Sequence, residues 1–299
     1  YSAKPMHSYW DNFWALRGYK DAVEVADALG ETAASKKMSA SRDQFRDDLY
    51  ASLRAATRLH NITYLPGAAE IGDFDPTSTT IALAPGGEQG KLPADLLNGT
   101  FERYWTEFVQ RRDGQREWKD YTPYEWRNVA AFVRLGWRER AWDVLDFFFK
   151  DRAPQAWNQW AEVVSRTPRK PFFVGDLPHA WVASDFVRSA LDMFAYTREV
   201  DDSLVLAAGV PATWLDGEGI AIDGLRTPNG VLGYMLRKQG DEVLLEAKAG
   251  LKLPAGGLVL PWPYKGAPGE TRVNGKPAQW RDGELRITAL PAKVSIRTR

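Results

Sequence analysis

Residues 8–30 read SYWDNFWALRGYKDAVEVADALG, and this stretch predicts that the N-terminal part of the protein is helical. Ser8 can cap the start of the helix, and Gly30 ends it. Residues 42–60 show the same apolar spacing, so we expect the two helices to form a hairpin. The apolar residues of the first helix recur mostly three or four positions apart, as on one face of an α-helix: Phe13, Leu16, Tyr19, Val23, Ala26 and Leu29.

The helical pattern returns several times before residue 200. The further predicted helices span residues 92–112, 123–135 and 138–150, and a last one follows the turn at residues 175–178 and runs to about residue 197. Helical hairpins that recur in this way are typical of a toroid or a solenoid of helix pairs.

The pattern changes after Asp202, where short runs of β-forming residues alternate with turns. Asn274-Gly275 and Asp282-Gly283 are typical hairpin turns. We therefore predict a helical region at residues 1–200 and an antiparallel β-sandwich at residues 201–299. The predicted strands are residues 203–208, 219–223, 231–236, 243–247, 258–261, 271–273, 285–289 and 293–298.

The charge balance argues against two classes of partner. The chain has 39 basic and 39 acidic residues, so its formal net charge is zero. A neutral chain has no general attraction for nucleic acid or for an anionic membrane, and we expect neither partner. The apolar runs are far too short to span a bilayer. The chain opens at Tyr1 without a visible targeting segment, and we favour a periplasmic or secreted location over a cytoplasmic one.

The sequence offers no pattern for a cofactor. It contains no cysteine, and its three histidines are far apart, without the spacing of metal ligands. A Gly-rich phosphate loop and a nucleophile elbow are also absent from the sequence. We therefore expect no disulfide, no transition metal and no cofactor.

An acidic loop at residues 68–80, AAEIGDFDPTSTT, is a candidate site for chemistry. It places Glu70, Asp73 and Asp75 within a few residues, and Gly72 and Pro76 make it a turn. A solvated acidic loop or a calcium site would show the same pattern. The 13 Trp, 11 Tyr and 13 Phe residues indicate a large core or a cleft with flat surfaces for sugar rings.

Several segments together resemble trehalases and related six-hairpin glycosidases. Residues 9–14, Tyr-Trp-Asp-Asn-Phe-Trp, resemble their Tyr-Trp-Asp-Ser-Tyr motif, and residues 72–78 resemble their Gly-Trp-Asp-Tyr-Ser-Ser segment. Residues 121–126 resemble their Trp-Ala-Pro-Leu-Gln-Trp segment, and Glu162 falls where the family has its base. A helical toroid followed by a β-sandwich is similar to α-L-rhamnosidases as well.

The resemblance covers roughly residues 8–197 and implies the (α/α)6 toroid. The chain has about half of the long helices of a full toroid, so we expect it to be the C-terminal portion of such an enzyme. The missing N-terminal half of the toroid would then be a partner.

The resemblance implies hydrolysis of an oligosaccharide or glycoside with inversion of configuration. Asp75 takes the position of the catalytic acid and Glu162 that of the base, with Asp73 as the second choice for the acid. An inverting pair stands roughly 6.5–9.5 Å apart, so that a water fits between the sugar and the base. The expected substrate-binding residues are Trp10, Asp11, Asp73, Glu125, Trp126, Trp160 and His179.

Three alternatives stay open at this point. A disaccharide phosphorylase on the same toroid would have cationic residues around a phosphate in place of the base. A polysaccharide lyase would need a Tyr or His base and a cationic pocket for a uronate. A non-catalytic carbohydrate-binding protein would keep the aromatic cleft but lack two facing carboxylates.

Overall fold

The computed structural model describes residues 4–117, 120–152, 154–165, 167 and 174–298, and the structural statements below concern those residues. Its α-helices lie in the first two thirds of the chain. They are α1 (Tyr9–Ala28), α2 (Thr32–Leu59), α3 (Pro76–Leu83), α4 (Ala94–Arg112), α5 (Arg127–Arg134), α6 (Arg138–Lys150) and α7 (Ala180–Phe194).

Helices α1 and α2 form the predicted hairpin. The side chain of Ser8 accepts a hydrogen bond from the amide of Asp11, so the predicted N-cap is confirmed. Helix α2 begins at Thr32, about ten residues before the predicted start. Its first part, TAASKKMSAS, favours a helix by its Ala, Lys and Met content but has no apolar stripe, so its periodicity gave no signal.

Helix α3 occupies part of the stretch that we predicted to be a loop. Asp75 caps it and Pro76 fills its first turn, where a missing amide proton costs nothing. From Ser78 to Leu83 every residue of this helix is buried. A helix that is buried on all sides has no polar face, and therefore no amphipathic period for a sequence to reveal.

Aromatic rings form much of the core around α4, α5 and α6. Trp126 is completely buried against Phe148, Phe149 and Trp160, with ring centroids 4.8–5.7 Å apart. Phe108 of α4 meets Phe147 edge-on at 5.3 Å. Many of the aromatic residues that the sequence analysis counted as possible sugar platforms are therefore packing residues.

The strands lie mostly beyond residue 195. Two short ones, β1 (Asp120–Tyr121) and β2 (Val164–Ser165), pair within the helical region. The others are β3 (Ala195–Arg198), β4 (Ser203–Leu206), β5 (Ile220–Thr227), β6 (Gly230–Gln239), β7 (Glu242–Ala247), β8 (Leu258–Pro261), β9 (Thr271–Val273), β10 (Lys276–Pro277), β11 (Trp280–Arg281), β12 (Glu284–Ile287) and β13 (Ala292–Arg297).

These strands form two sheets that share one core. One has the order β10-β9-β13-β7-β6-β5, and the other has the order β11-β12-β8-β4-β3. A single buried cluster contains Leu245 and Ile296 from the first sheet and Leu206 and Leu260 from the second, which is the arrangement of a sandwich. The pairing is antiparallel except between β4 and β8, which run parallel. The segment between those two strands forms β5, β6 and β7 of the other sheet, so it provides the long connection that a parallel pair requires.

The hairpin turns of the β-region follow their sequence signals. Asn274 and Gly275 have φ values of 50° and 78°, and Asp282 and Gly283 have values of 51° and 75°. Two successive residues with positive φ are the mark of a type I′ turn, which matches the twist of the flanking strands.

The chain divides into two compact units. The first contains residues 1–131 and 147–185, and the second contains residues 132–146 and 186–299. The domains that we predicted, residues 1–200 and residues 201–299, remain a prediction. No helix among the described residues combines the length and the apolar character that a bilayer crossing requires.

Candidate active site

The candidate site is in the first unit, at the start of α7. There Glu162, Asp176 and His179 each contribute one side-chain oxygen or nitrogen atom to a group whose atoms all lie within 4.8 Å of one another. Glu162 and His179 are half-buried and Asp176 is exposed, so the group faces solvent on one side. Of these three residues, the sequence predicted Glu162 and His179.

Backbone pairing brings the two carboxylates together. The amide of Glu162 donates to the carbonyl of Asp176 at 3.1 Å, and the amide of Gly175 donates to the carbonyl of Val163 at 2.8 Å. A side chain on Gly175 would begin 2.9 Å from the amide nitrogen of Val163, which is closer than real Cβ atoms come. Glycine at this position therefore allows the close approach of the two segments. The hydroxyl of Thr122 donates to the carbonyl of Glu162 at 2.8 Å, so a third segment also holds the backbone of Glu162.

His179 is held at both of its ring nitrogens. Nδ1 accepts a hydrogen bond from the amide of Val182, in the first turn of α7, at 3.3 Å. Nε2 lies 3.3 Å from the hydroxyl oxygen of Tyr124. Tyr124 also packs edge-on against the His179 ring, with centroids 5.4 Å apart.

An aromatic wall borders the polar group. Trp181 is 42% exposed although it is a large apolar side chain, and its ring lies 5.6 Å from that of Trp10 and 6.0 Å from that of Tyr124. The guanidinium of Arg127 lies over the Tyr124 ring at 4.6 Å and pairs with Asp185 at 2.8 Å. Flat apolar surface beside a few converging polar atoms is what a binding site for a small polar ligand requires.

The environment keeps the Tyr124 hydroxyl protonated. Burial raises the pKa of Tyr124, and the negative charges of Glu162, Asp185 and Asp176 raise it further, while Arg127 lowers it. The net direction is upward from the ordinary value of 10.0, so at neutral pH this hydroxyl can donate a hydrogen bond.

The acidic loop is built around Gly67. Asp73 accepts a hydrogen bond from the amide of Ala68 at 2.8 Å. Asp75 accepts hydrogen bonds from the hydroxyl of Thr77 at 2.5 Å and from the amide of Ser78 at 3.0 Å, as the N-cap of α3. A Cβ atom on Gly67 would lie 2.8 Å from atoms of both aspartates. The structure thus assigns Asp75 a structural role, whatever further role it has.

The first turn of α1 contacts both the acidic loop and the aromatic wall. The amide of Tyr9 donates to the carbonyl of Gly67 at 2.9 Å, and the next residue, Trp10, packs on Trp181. Asp11 follows on the same turn and is exposed. This turn therefore links the acidic loop to Trp181. That Trp10, Asp73 and Asp75 share a site with Glu162 and His179 stays a prediction.

Three predicted substrate-binding residues, Glu125, Trp126 and Trp160, are buried. Glu125 is buried and accepts hydrogen bonds from Tyr104 at 2.8 Å and from Arg111 at 2.9 Å. Trp126 is 0% exposed, and Trp160 is 6% exposed and donates to the carbonyl of Phe148. None of the three presents a free face to a ligand, because the tight turn at Pro123–Trp126 directs Glu125 and Trp126 inward while Tyr124 stays half-exposed.

Sequence reasoning missed Tyr124 and Asp176 as site residues. Tyr124 is adjacent to the predicted Glu125 in a 3-10 turn. With about three residues per turn, neighbouring side chains point in different directions, so a 3-10 prediction would have placed Tyr124 and Glu125 on different faces of the turn. Asp176 lies in the turn before the last helix, where a capping role is the usual explanation of an aspartate. Only the pairing of the Glu162 and Asp176 segments brings it to the site.

Two carboxylates and an imidazole are also a donor set for a divalent cation. Metal–ligand bonds of about 2.1 Å would bring the three donor atoms to about 3.4 Å from one another. The donor atoms all lie within 4.8 Å of one another, which is compatible with a bound cation and with a hydrogen-bonded water. Nδ1 of His179 is also occupied by the Val182 amide.

No family model and no curated protein matches the sequence. Among solved structures, the chain is similar to the α-L-rhamnosidase from Dictyoglumus thermophilum, a glycoside hydrolase, with a TM-score of 0.45 and 11% sequence identity. The match covers 94% of this chain and 31% of that one, so the chain spans about a third of the length of that protein. A likeness at this level carries no argument about activity.

Proposed function

We propose that the chain forms the catalytic part of a glycoside hydrolase that cleaves a glycosidic bond with inversion. One observation carries the proposal: one side-chain oxygen or nitrogen atom from each of Glu162, Asp176 and His179 lies within 4.8 Å of the other two, and the half-exposed Trp181 follows His179 by two residues. A general base needs a water in this position, and a sugar ring needs a flat apolar face beside it. On this proposal Glu162 is the base and Asp176 orients the water, while His179 positions Tyr124.

The proposed acid is Asp75, with Asp73 as the second choice. The α1 turn that contacts both the acidic loop and Trp181 supports this pairing. The hydrogen bonds that Asp75 accepts from Thr77 and Ser78 weigh against it, because a general acid must carry a proton on one of its oxygens. Asp73 accepts one hydrogen bond through Oδ1, and its Oδ2 lies near Gly67. The two assignments are separable by mutation.

The charges at the site favour hydrolysis over the two enzymatic alternatives. A phosphorylase or a lyase would place cations beside the reacting group to hold phosphate or a uronate. In the described part of the chain, Glu162 and Asp176 pair with no Lys or Arg, and the nearby Arg127 is already paired with Asp185. The expected substrate is an oligosaccharide or glycoside.

Hydrolysis of a panel of aryl glycosides and disaccharides tests the proposal. We expect the wild type to cleave at least one of them, and Glu162→Gln to lower kcat by about 100-fold or more, because the amide cannot accept a proton. Glu24→Gln on the exposed side of α1 is the matched control and should keep the full rate. NMR of the freshly released sugar should show the anomer opposite to that of the substrate.

The alternatives give different outcomes in the same assay. Binding of sugars without cleavage would indicate a non-catalytic carbohydrate-binding protein. Cleavage only with added inorganic phosphate would indicate a phosphorylase, and an unsaturated product from a uronate polymer would indicate a lyase. Cleavage that Glu162→Gln does not slow would remove Glu162 from the mechanism.

A further inference from the structure

We infer that Tyr124 donates a hydrogen bond to the oxygen bound at this site, and that His179 fixes the direction of that bond as a neutral imidazole protonated at Nε2. This inference rests on the proposed function for the identity of the bound oxygen. The directions of the hydrogen bonds from Val182 to His179 and from His179 to Tyr124 follow from the contacts within the protein and do not depend on that proposal. They make His179 a positioning residue, and they exclude His179 as a base.

The order begins at the backbone of α7. The amide of Val182 is a donor only, so the Nδ1 atom of His179, at 3.3 Å, must accept. A neutral imidazole carries one proton, which is then on Nε2. A second proton on the ring would place an N–H group against the Val182 amide. The first turn of the helix therefore selects the tautomer.

This tautomer determines the direction of the hydrogen bond between His179 and Tyr124. Because Nε2 carries the proton, it donates to the hydroxyl oxygen of Tyr124 at 3.3 Å. Tyr124 accepts through its oxygen, and its own proton is directed to another acceptor. The titratable groups around this hydroxyl are Glu162, Asp176, Asp185 and Arg127, and the last two are paired with each other.

The Tyr124 ring has little freedom to turn away. Arg127 lies over its face, and the edges of the His179 and Trp181 rings meet it at 5.4 and 6.0 Å. The carboxylates whose charges act on the Tyr124 hydroxyl and that do not pair with Arg127 are Glu162 and Asp176. On the proposed function, the acceptor of the Tyr124 proton is an oxygen bound beside these two carboxylates. The Tyr124 hydroxyl would then donate to a lone pair of the bound oxygen and fix the orientation of that oxygen in the site.

Side-chain ¹H–¹⁵N NMR of the wild type at neutral pH tests the tautomer without a substrate. The chain has three histidines, and comparison with His179→Asn identifies the His179 signals. We expect a neutral ring with the proton on Nε2, and we expect Tyr124→Phe to shift the Nε2 signal. A proton on Nδ1, a charged ring, or an Nε2 signal that Tyr124→Phe leaves unchanged would overturn the inference.

Two substitutions at His179 separate its two contacts. Asparagine places an oxygen where Nδ1 is and keeps an acceptor for Val182, while glutamine places an amide N–H near the Nε2 position. We expect His179→Asn to keep the thermal midpoint and to lower kcat/KM about tenfold, the effect of one lost hydrogen bond. His179→Gln should lose thermal stability but keep more of the activity.

Tyr124→Phe completes the test. It should lower kcat/KM about tenfold on any glycoside that the wild type cleaves, with the thermal midpoint close to that of the wild type. Full activity of this variant would overturn the donor role of Tyr124. If the wild type cleaves no glycoside, the glycosidase proposal fails, and the NMR signals still decide whether the His179–Tyr124 order is correct.

Discussion

At the scale of single residues, some positions have both a structural role and a proposed role at the site. Asp75 is the residue that the sequence resemblance selects as the acid, and it is also the N-cap of α3. Gly175 is a turn residue, and its missing side chain lets the Asp176 segment approach Glu162. Substitutions at such positions change stability and activity together unless the replacement is chosen to retain one of the two roles.

Asp75 allows the two roles to be separated. Asp75→Ala removes the cap and should lower the free energy of unfolding by about 1 kcal/mol, whereas Asp75→Asn keeps an acceptor for the Ser78 amide and should stay close to wild type. Urea unfolding measures both. If Asp75 is the acid, Asp75→Asn is stable but inactive. A stable and fully active Asp75→Asn transfers the role to Asp73.

Gly175 and Gly18 make a matched pair of Gly→Ala substitutions. A Cβ on Gly175 would be 2.9 Å from the Val163 amide nitrogen and 3.3 Å from Glu162 Cβ, so we expect Gly175→Ala to destabilise the protein and to reduce activity. A Cβ on Gly18, inside α1, meets nothing within 4 Å. Gly18→Ala should therefore stabilise the protein by roughly 0.5–1 kcal/mol. Thermal unfolding of both variants checks the contrast, and equal midpoints would contradict it.

At the scale of elements, one buried carboxylate joins α1, α2 and the loop after α3. Glu88 is fully buried, and it accepts from Lys20 of α1 at 2.5 Å and from Arg46 of α2 at 3.0 Å. Tyr50 of α2 donates to it as well. A charge buried with such partners is stable only while all of them are present.

This buried group predicts a loss of stability in acid. Burial raises the pKa of Glu88, but the hydrogen bonds from Lys20, Tyr50 and Arg46 outweigh burial and hold it below the ordinary value of 4.5. Because the folded-state pKa is the lower one, Glu88 stabilises the fold at every pH above 4.5, and this contribution is lost as the pH falls through the folded-state value.

Urea unfolding of the wild type and of Glu88→Gln between pH 7 and pH 3 measures the contribution. We expect the variant to be less stable at pH 7 by about 3–5 kcal/mol, because Lys20 and Arg46 lose their counter-charge. The difference should shrink toward pH 3. A constant difference over this range would show that the Glu88 charge is not coupled to folding.

The ends of the elements show where local sequence signals stop. We predicted a last helix that runs to about residue 197, but α7 ends at Phe194 and the chain continues as β3. Residues 195–198 are compatible with either state, and pairing with β4, from Ala195↔Leu206 to Arg198↔Ser203, selects the strand. Strands β8 and β9, in contrast, have the predicted bounds, because turn residues flank them on both sides.

At the scale of the whole molecule, two compact units are each interrupted in sequence. In the second unit, Arg198 pairs with Asp201 at 2.8 Å and with Glu284 at 2.6 Å, and Arg286 also pairs with Asp201. These ion pairs join β3 to the strands that follow it. A boundary at residue 200 would separate Arg198 from both of its partners.

Two fragments test that boundary. Residues 195–299 retain β3 and Arg198, whereas residues 201–299 lack both, so we expect the longer fragment to unfold at the higher urea concentration. Circular dichroism during urea titration is a sufficient measurement. Equal midpoints for the two fragments would support the predicted domain that begins at residue 201.

The sequence by itself determined the helical hairpin, most helix positions, the strand-rich C-terminal part and its type I′ turns. Each of these depends on periodicity or on residues with particular φ values, and both are local properties. The sequence also offered Trp10 and Glu162 through motif resemblance, and His179 through its residue type; their roles remain predictions.

Only the tertiary structure decided which candidates share a site. It placed Glu125, Trp126 and Trp160 in the interior, and it brought Asp176 and Tyr124 to Glu162 and His179. It also turned part of the acidic loop into the buried helix α3. The reason is that burial and convergence depend on contacts between residues that are distant in the chain, and no periodicity in the sequence records those contacts.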